Sequence, residues 1–295
     1  MSSPVPERSD ELIQHFGHEG LRLFGRVLLS GARLPEASAV FLEGTGVPVD
    51  VAPYFRAPLA DEPVGLGAFA SRAKGQRPHQ EMESWPRIGW DGLAHLCVRP
   101  DGAVQAVVLS DVVDDMFVNT DVAALSASLL ALDRAQPLIA AASGLGEAAA
   151  VFRDLSAELR QLDAAAFEDR ESWWPRVLDD VRHTLNFPFS AAFEYVDDAG
   201  AKQVVTEATG PGLAHPEELV WRRLSGQGVR PEQVRRVYCE LEACLMPGHY
   251  CAVWMQEMFP RAEFTHSFGY GETAESRESG LKELIMHAAE QARRG

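Results

Sequence analysis

The N-terminal half of the chain mixes apolar spacings typical of helices with short apolar runs typical of strands. Leu12, Phe16 and Leu21 recur at helical spacing and predict a helix. Further along, two apolar runs flank the turn sequence Arg-Pro-Asp-Gly at 99–102 and predict a β-hairpin. The predicted elements are, in order, a helix at 10–28, strands at 37–44 and 47–55, a hairpin at 92–110, and helices at 122–152, 149–166 and 171–185.

The C-terminal half has a more regular order of elements. Pro216 near its first position and a glycine near its end, Gly226 or Gly228, bound one predicted helix. The predicted elements are strands at 190–197 and 202–209, a helix at 215–228, a strand at 234–241, a helix at 247–260, a strand at 262–271 and a helix at 273–294. The order β-β-α-β-α-β-α predicts an α/β sheet with helices packed on it. The change of pattern near residue 186 divides the chain into domains 1–185 and 186–295.

Composition and charge exclude several classes of protein. The formal net charge is −16, whereas an obligate nucleic-acid binder normally carries a basic surface. The segment 1–17 has acidic residues and no apolar run, so it does not predict a secretory signal. The longest run of low polarity, 138–152, is broken by Glu147 and is too short to span a bilayer. Four unevenly placed cysteines do not form a disulfide framework, so we expect a reducing compartment and a cytoplasmic protein.

Two short sequences in the C-terminal half combine the residue types of a zinc site. His215-Pro216-Glu217 begins one predicted helix, and Cys244 and Cys251 lie around the start of the next. Structural and catalytic zinc sites take three or four nitrogen and sulfur ligands. An imidazole and two thiolates suit Zn²⁺ better than Mg²⁺ or Ca²⁺. We therefore expect His215, Cys244 and Cys251 to bind Zn²⁺.

Other roles for these residues stay open at this point. His215 could simply begin a helix, and Glu217 could be a first-turn acid favoured by the helix dipole. Cys239 shares the strand register of its apolar neighbours and is expected to face the core as a small hydrophobic residue. His249, which lies between the two cysteines, could replace one thiolate as a ligand. Cys97 in the predicted hairpin is expected to be a core residue.

The sequence from 187 to 295 resembles the zinc-dependent nucleobase deaminases, in particular the bacterial toxin-type nucleic acid or nucleotide deaminases. These proteins carry H-x-E at one helix start and P-C-x-x-C at the next. The resemblance implies that His215, Cys244 and Cys251 hold Zn²⁺ together with a water, and that Glu217 transfers protons in hydrolysis. Two features depart from the pattern: Ala243 stands where the motif has proline, and six residues, rather than two, separate the cysteines.

The segment after the last predicted strand borders the pocket in such folds. Phe268 and Tyr270 could therefore stack on a base, since stacking contributes roughly 1–3 kcal/mol per base. Core packing is the alternative for both. The stretch 187–295 contains 16 acidic and 11 basic side chains, a difference of −5, which disfavours a groove for a long polyanion.

The N-terminal half resembles the SUKH superfamily, specifically its fourth immunity-protein group, over about residues 20–183. The resemblance is carried by Leu34-Pro35, by the hairpin segment with its continuation Val118-Asn119-Thr120-Asp121, and by the closing segment WWPRVLDDV at 173–181. It implies an α+β domain that neutralises polymorphic toxins or recognises partner proteins. Asn119 and Asp121 are expected to serve turn formation and helix capping. A neighbouring acidic cluster could face a partner or be a solvated loop; its members are Asp111, Asp114 and Asp115.

Two functional hypotheses follow. In the first, the C-terminal domain is a zinc-dependent hydrolase that deaminates a cytosine or adenine base, and the front domain binds a protein such as a cognate toxin. In the second, the whole chain is a non-catalytic immunity protein of a polymorphic toxin system with a degenerate deaminase-like half. The intact H-x-E favours the first, and the wide cysteine spacing favours the second. The sequence selects neither the base, the polymer, the toxin nor the oligomeric state.

Overall fold

The computed structural model describes residues 5–74, 76–186 and 188–294, with side chains described from residue 9 onward at the N-terminus. The chain divides into two compact units. The first comprises residues 1–138 and 150–178, and the second comprises 139–149 and 179–295. The division thus falls after Leu178, inside a helix. The domain limits 1–185 and 186–295 stay a prediction.

Among the described residues, the N-terminal half of the chain contains seven α-helices and eight short strands. The helices are α1 (Val5–Phe16), α2 (Arg26–Leu29), α3 (Glu36–Gly44), α4 (Leu66–Ala73), α5 (Val122–Ala140), α6 (Leu145–Leu162) and α7 (Trp173–Asn186). The strands are β1 (Leu21–Arg22), β2 (Val47–Pro48), β3 (Asp50–Val51), β4 (Phe55–Arg56), β5 (Arg87–Trp90), β6 (His95–Val98), β7 (Val104–Val107) and β8 (Met116–Asn119).

Several sequence predictions in this half were wrong in bounds or in type. The helix predicted at 122–152 is interrupted between α5 and α6, and the strand predicted at 47–55 is replaced by strands of two residues. The helix predicted at 10–28 ends at Phe16, because Gly17 adopts a left-handed φ of 70° and closes the helix by donating to Ile13. The strand predicted at 37–44 is helix α3. Its buried positions, Ser38, Phe41 and Leu42, have the spacing of a helix, and a short apolar run alone does not distinguish the two structures.

The six-stranded sheet of the first unit has the order β3-β4-β5-β6-β7-β8, and every neighbouring pair is antiparallel. The predicted hairpin is confirmed as β6 and β7, in which His95 opposes Val107. Cys97 is fully buried on β6, as expected. Helix α5 is long and apolar enough to cross a membrane, but 67% of its apolar stretch is buried in the fold. Buried core helices pass the same test, so this is weak evidence for a span.

A buried polar network joins strand β8 to the segment before helix α7. The Asn119 side-chain amide donates to Asp163, whose carboxylate also accepts from the Thr120 backbone, and the Trp174 indole donates to the side-chain Oδ1 of Asn119 at 2.8 Å. Asp121 accepts from the Ala124 backbone at 2.7 Å and caps helix α5. The capping role expected for Asp121 is therefore confirmed, whereas Asn119 joins strand β8 to Asp163 and Trp174 instead of forming a turn or a cap.

The second unit has the order of elements predicted from the sequence. They are β9 (Ser190–Val196), β10 (Lys202–Ala208), α8 (Pro216–Gly226), β11 (Val234–Leu241), α9 (Cys251–Met258), β12 (Glu263–Phe268) and α10 (Ala274–Arg294). The sheet order is β10-β9-β11-β12, antiparallel except for the parallel pair β11 and β12. Helix α9 starts at Cys251, later than predicted, because 247–250 form a turn instead.

The sheet and its helices enclose one apolar core in the second unit. Phe193 on β9, Val237 on β11 and Val220 on α8 are completely buried in it. Glycine allows the closest helix approach: a Cβ on Gly280 of α10 would lie 1.7 Å from the backbone oxygen of Gly269. The ends of β11, α8 and α9 meet at one side of this core, and the candidate site lies there.

Candidate metal centre

His215 is held in place by the start of helix α8. Its backbone is extended, with φ −61° and ψ 150°, and Pro216 occupies the first helical position. The side chain of Glu218, one turn into the helix, accepts the His215 backbone N–H at 3.1 Å. The His215 side chain is buried. A capped helix start thus fixes the backbone of the first candidate ligand.

The six residues between Cys244 and Cys251 fold back on themselves. His249 and Tyr250 both donate to the Met246 carbonyl oxygen, and Ala252 donates to the Cys244 carbonyl oxygen at 3.1 Å. Gly248 with φ 83° and Tyr250 with φ 42° turn the chain in the left-handed region, where glycine is favoured. The wide spacing therefore still brings the two cysteines together.

The three predicted ligands converge on one point. His215 Nδ1 lies 3.4 Å from Cys244 Sγ and 3.5 Å from Cys251 Sγ. All three atoms lie within 4.8 Å of one another, and both cysteines are buried free thiols. In a tetrahedral zinc site, Zn–N near 2.0–2.1 Å and Zn–S near 2.3 Å place the nitrogen about 3.6 Å from each sulfur. The residues present therefore fit a zinc ion by donor type and by spacing.

The charges of this cluster favour metal binding. Burial lowers the pKa of His215, but Asp180 and Cys244 outweigh burial and raise this pKa well above its usual value. Burial raises the pKa of Cys244, but the Cys251 thiol, which donates to it, and the adjacent His215 lower this pKa well below its usual value. These opposite shifts favour a positive charge on His215 and a negative charge on Cys244, and metal binding releases protons from such ligands.

Glu217 lies beside the cluster without belonging to it. Its side chain is buried, and its carboxylate accepts a hydrogen bond from the Cys239 thiol. Its second oxygen, Oε2, is buried with no hydrogen-bond partner among the described residues. Burial raises the pKa of this carboxyl. An acid with an unpaired oxygen beside a three-donor site is what a proton-transfer group requires.

Asp180 contacts His215 at its second ring nitrogen, Nε2, and His249 contacts His215 at its ring face. Asp180 Oδ1 lies 3.1 Å from His215 Nε2, and Asp180 Oδ2 lies 3.2 Å from His249 Nε2. The two imidazole rings stack at 3.9 Å between centroids, with 5° between their planes. His249 Nδ1 lies 3.0 Å from Glu218 Oε2. Burial raises the pKa of Asp180, but His249 and His215 outweigh it and hold this pKa well below its usual value.

A small cavity is lined in part by Cys239, the residue that donates to Glu217. It has a volume of about 120 Å³ and is lined by residues of β11, α9 and β12, among them Cys239, Gln256, Phe264 and His266. Its wall also contains Ala243 and Ala252, the sequence neighbours of Cys244 and Cys251. Sequence reasoning missed Phe264 and His266. Their only signal was their spacing of two residues, which sends both side chains to one face of an edge strand.

The structure places Phe268 and Tyr270 away from this cavity lining. Tyr270 is buried, and its hydroxyl contacts the ring of His183. Phe268 packs against the core and lies 5.5 Å from the His287 ring. Cys239 is buried on β11, as expected, although it also contacts Glu217. The substrate-binding role for Phe268 and Tyr270 stays a prediction, and core packing accounts for the contacts that both make.

Two family models match the chain. One described as SUKH-4 immunity protein matches residues 8–180, and one described as Xanthomonas-like deaminase matches residues 188–287. No curated protein and no solved structure matches the chain significantly. The two matches confirm the resemblances drawn from the sequence and the two fold classes that they imply.

Proposed function

Because the chain belongs to the SUKH-4 immunity protein family and continues into a deaminase domain, we propose that its C-terminal half catalyses the zinc-dependent hydrolytic deamination of a nucleobase. The N-terminal half binds a partner protein, such as a cognate toxin. One observation carries the enzymatic proposal: a buried acid with an unpaired oxygen lies beside a nitrogen and two sulfurs at zinc-site spacing.

The proposed reaction replaces an exocyclic amine with oxygen. Water adds to the ring carbon that bears the amine, the carbon–nitrogen bond breaks, and ammonia leaves. His215, Cys244 and Cys251 would hold the Zn²⁺, which would supply a Lewis acid. Glu217 accepts the proton of the attacking water at Oε2 and delivers protons to the ring nitrogen and the departing ammonia. The Cys239 thiol orients the Glu217 carboxylate by donating to it.

The cavity lined by Cys239, the hydrogen-bond partner of Glu217, is the proposed base-binding pocket. Phe264 and His266 provide aromatic faces for stacking, and Gln256 offers an amide that can pair with a base edge. The difference of −5 between basic and acidic side chains in 187–295 favours a free nucleotide or a short single-stranded segment over a long polymer. A cytoplasmic location accords with thiols that must stay reduced to bind metal.

The test combines metal content with a substrate panel. The wild type, purified without oxygen, should contain one equivalent of zinc and release ammonia from free nucleosides, nucleotides, or single-stranded DNA or RNA. Glu217→Gln should keep the zinc but lose about 10²–10⁴-fold or more in rate, because an amide of the same volume cannot accept the water proton. Cys244→Ser should lose the zinc. Activity that survives Glu217→Gln unchanged would refute the assignment of Glu217, and wild type without zinc would refute the metal site.

A non-catalytic immunity protein is the second candidate. The observation that favours it is the six-residue spacing of the cysteines, which departs from the two-residue spacing of zinc deaminases. In this case the metal, if bound, serves folding alone, since its binding free energy is partly folding free energy. Zinc-loaded wild type that is inactive on every substrate of the panel would favour this candidate, and binding to a toxin would then be the function to measure.

A further inference from the structure

We propose that Asp180 and His249 are positioning residues that fix His215 as a metal ligand, an inference that rests on the zinc site of the proposed function. The Asp180 carboxylate bridges two stacked imidazoles: one oxygen lies 3.1 Å from His215 Nε2 and the other 3.2 Å from His249 Nε2. Neither residue belongs to the group formed by His215, Cys244 and Cys251, and both contact that group at His215. Their effect on the metal is therefore exerted through His215.

The contact with Asp180 selects the ligand atom of His215. A neutral imidazole carries its proton on one nitrogen and a lone pair on the other. The negative charge of the Asp180 carboxylate, 3.1 Å from Nε2, favours the proton on that nitrogen. The lone pair is then on Nδ1, the atom that faces Cys244 and Cys251. Carboxylates that hold a metal-ligating histidine in this way fix both its tautomer and the orientation of its ring.

His249 pairs with the Asp180 carboxylate, which in turn contacts His215. Asp180 is almost completely buried, and a buried carboxylate is tolerated when its oxygens are paired. His249 pairs with the second oxygen of Asp180, while its other nitrogen lies 3.0 Å from Glu218 Oε2. Glu218 in turn accepts the backbone N–H of His215. The four residues thus form a closed ring of contacts around the ligand.

This closed set of contacts explains the long spacing between the two cysteines. His249 lies in the six-residue segment between Cys244 and Cys251, and the turn at 246–250 places its ring parallel to that of His215. A two-residue spacing has no room for such a side chain. The inserted residues therefore supply the partner that Asp180 needs, and the departure from the deaminase pattern is compatible with a tight metal site.

Asp180 also lies outside the segment matched by the deaminase model. That match begins at residue 188, and the SUKH-4 match ends at residue 180. By its contacts, however, Asp180 belongs to the second compact unit, which resumes at Asp179. The metal centre is thus completed by a residue that a boundary at 186 would assign to the other domain.

The test measures zinc affinity of the full-length chain by competition with a chromophoric chelator. Asp180→Asn and His249→Gln should each weaken zinc binding about 10–100-fold, the usual loss when such a partner of a ligand is removed. They should also shift the visible bands of the cobalt(II)-loaded protein, which report on ligand geometry. Asp179→Asn is the matched control, since this neighbouring carboxylate forms ion pairs with Arg182 and Arg277. It should keep the wild-type affinity and spectrum.

The outcomes separate this inference from the proposed function. Wild-type affinity and cobalt spectra in both variants, with folding verified by circular dichroism, would overturn the inference and leave the zinc site intact. A wild type that binds no zinc would overturn both. If Asp180→Asn does not fold, His249→Gln carries the test alone, because its side chain lies in a loop rather than in a helix.

Discussion

The N-terminal half should lose stability on mild acidification because of one buried histidine. His95 lies on β6 and is 7% exposed, with its ring packed edge-on to Phe69 at 4.7 Å between centroids. Burial, together with the nearby charge of Arg87, lowers the pKa of His95 from 6.5 to about 4. Below pH 6.5 the unfolded chain therefore binds a proton that the folded chain does not accept. Acid consequently favours the unfolded state, and the stability is fully present only above pH 6.5.

The size of the effect follows from the two pKa values. A difference of about 2.5 units corresponds to about 3.4 kcal/mol once both states are protonated below pH 4. Between pH 7.5 and pH 5, the free energy of unfolding should fall by about 2 kcal/mol on account of His95 alone. A loss of this size is a large fraction of the stability of a typical domain.

Hydrogen exchange of peptides from β6 and β7 measures this loss in the full-length chain. Protection factors at pH 7.5 and pH 5 give the opening free energy of the hairpin at each pH, free of the intrinsic dependence of exchange on pH. His95→Gln removes the titrating group and should remove about 2 kcal/mol of the difference. His79→Gln, which replaces an exposed histidine of the same half, is the control and should keep it. If His95→Gln shows the same loss as wild type, the reasoning is wrong.

Two further substitutions test packing, one in each half. Gly280→Ala should lower the melting temperature of the C-terminal half, because the new Cβ would overlap the Gly269 backbone oxygen. This overlap should outweigh the preference of alanine for helices, which is about 1 kcal/mol; an increase in melting temperature would contradict the packing described. Trp174→Phe should lower the free energy of unfolding in urea by about 1–3 kcal/mol, because it leaves the buried side-chain oxygen of Asn119 without the indole donor. An unchanged midpoint would show that this hydrogen bond contributes nothing.

The C-terminal fold was predicted well because its strands are long and because clear residue signals mark where its elements end. Strands β9 and β10 each have seven residues, and proline or glycine marks the ends of helix α8. The N-terminal half was harder, because strands of two residues, such as β3, leave no periodic signal. Helix α3 was missed for a related reason: its apolar residues are adjacent in sequence, and only burial reveals which of them share a face.

In the site, too, the residues with a clear local sequence signal were predicted and those without one were missed. His215 and Glu217 occur together at a helix start, and the cysteines occur at the next, so local sequence was enough to bring them together. Asp180 could not be found in this way, because it lies 35 residues before His215 on a different helix, in a segment that resembles the SUKH family and not the deaminases. His249 was considered as a ligand, but only the turn geometry shows that it faces Asp180.

The position of Asp180 has a consequence for the design of fragments of this chain. Helix α7 runs from Trp173 to Asn186, so it ends before the matched deaminase segment begins, yet its Asp180 contacts His215 and His249 within that segment. A fragment that begins at residue 188 lacks the Asp180 carboxylate and therefore both of these contacts. A fragment meant to keep the whole of the proposed metal site must begin no later than Asp180.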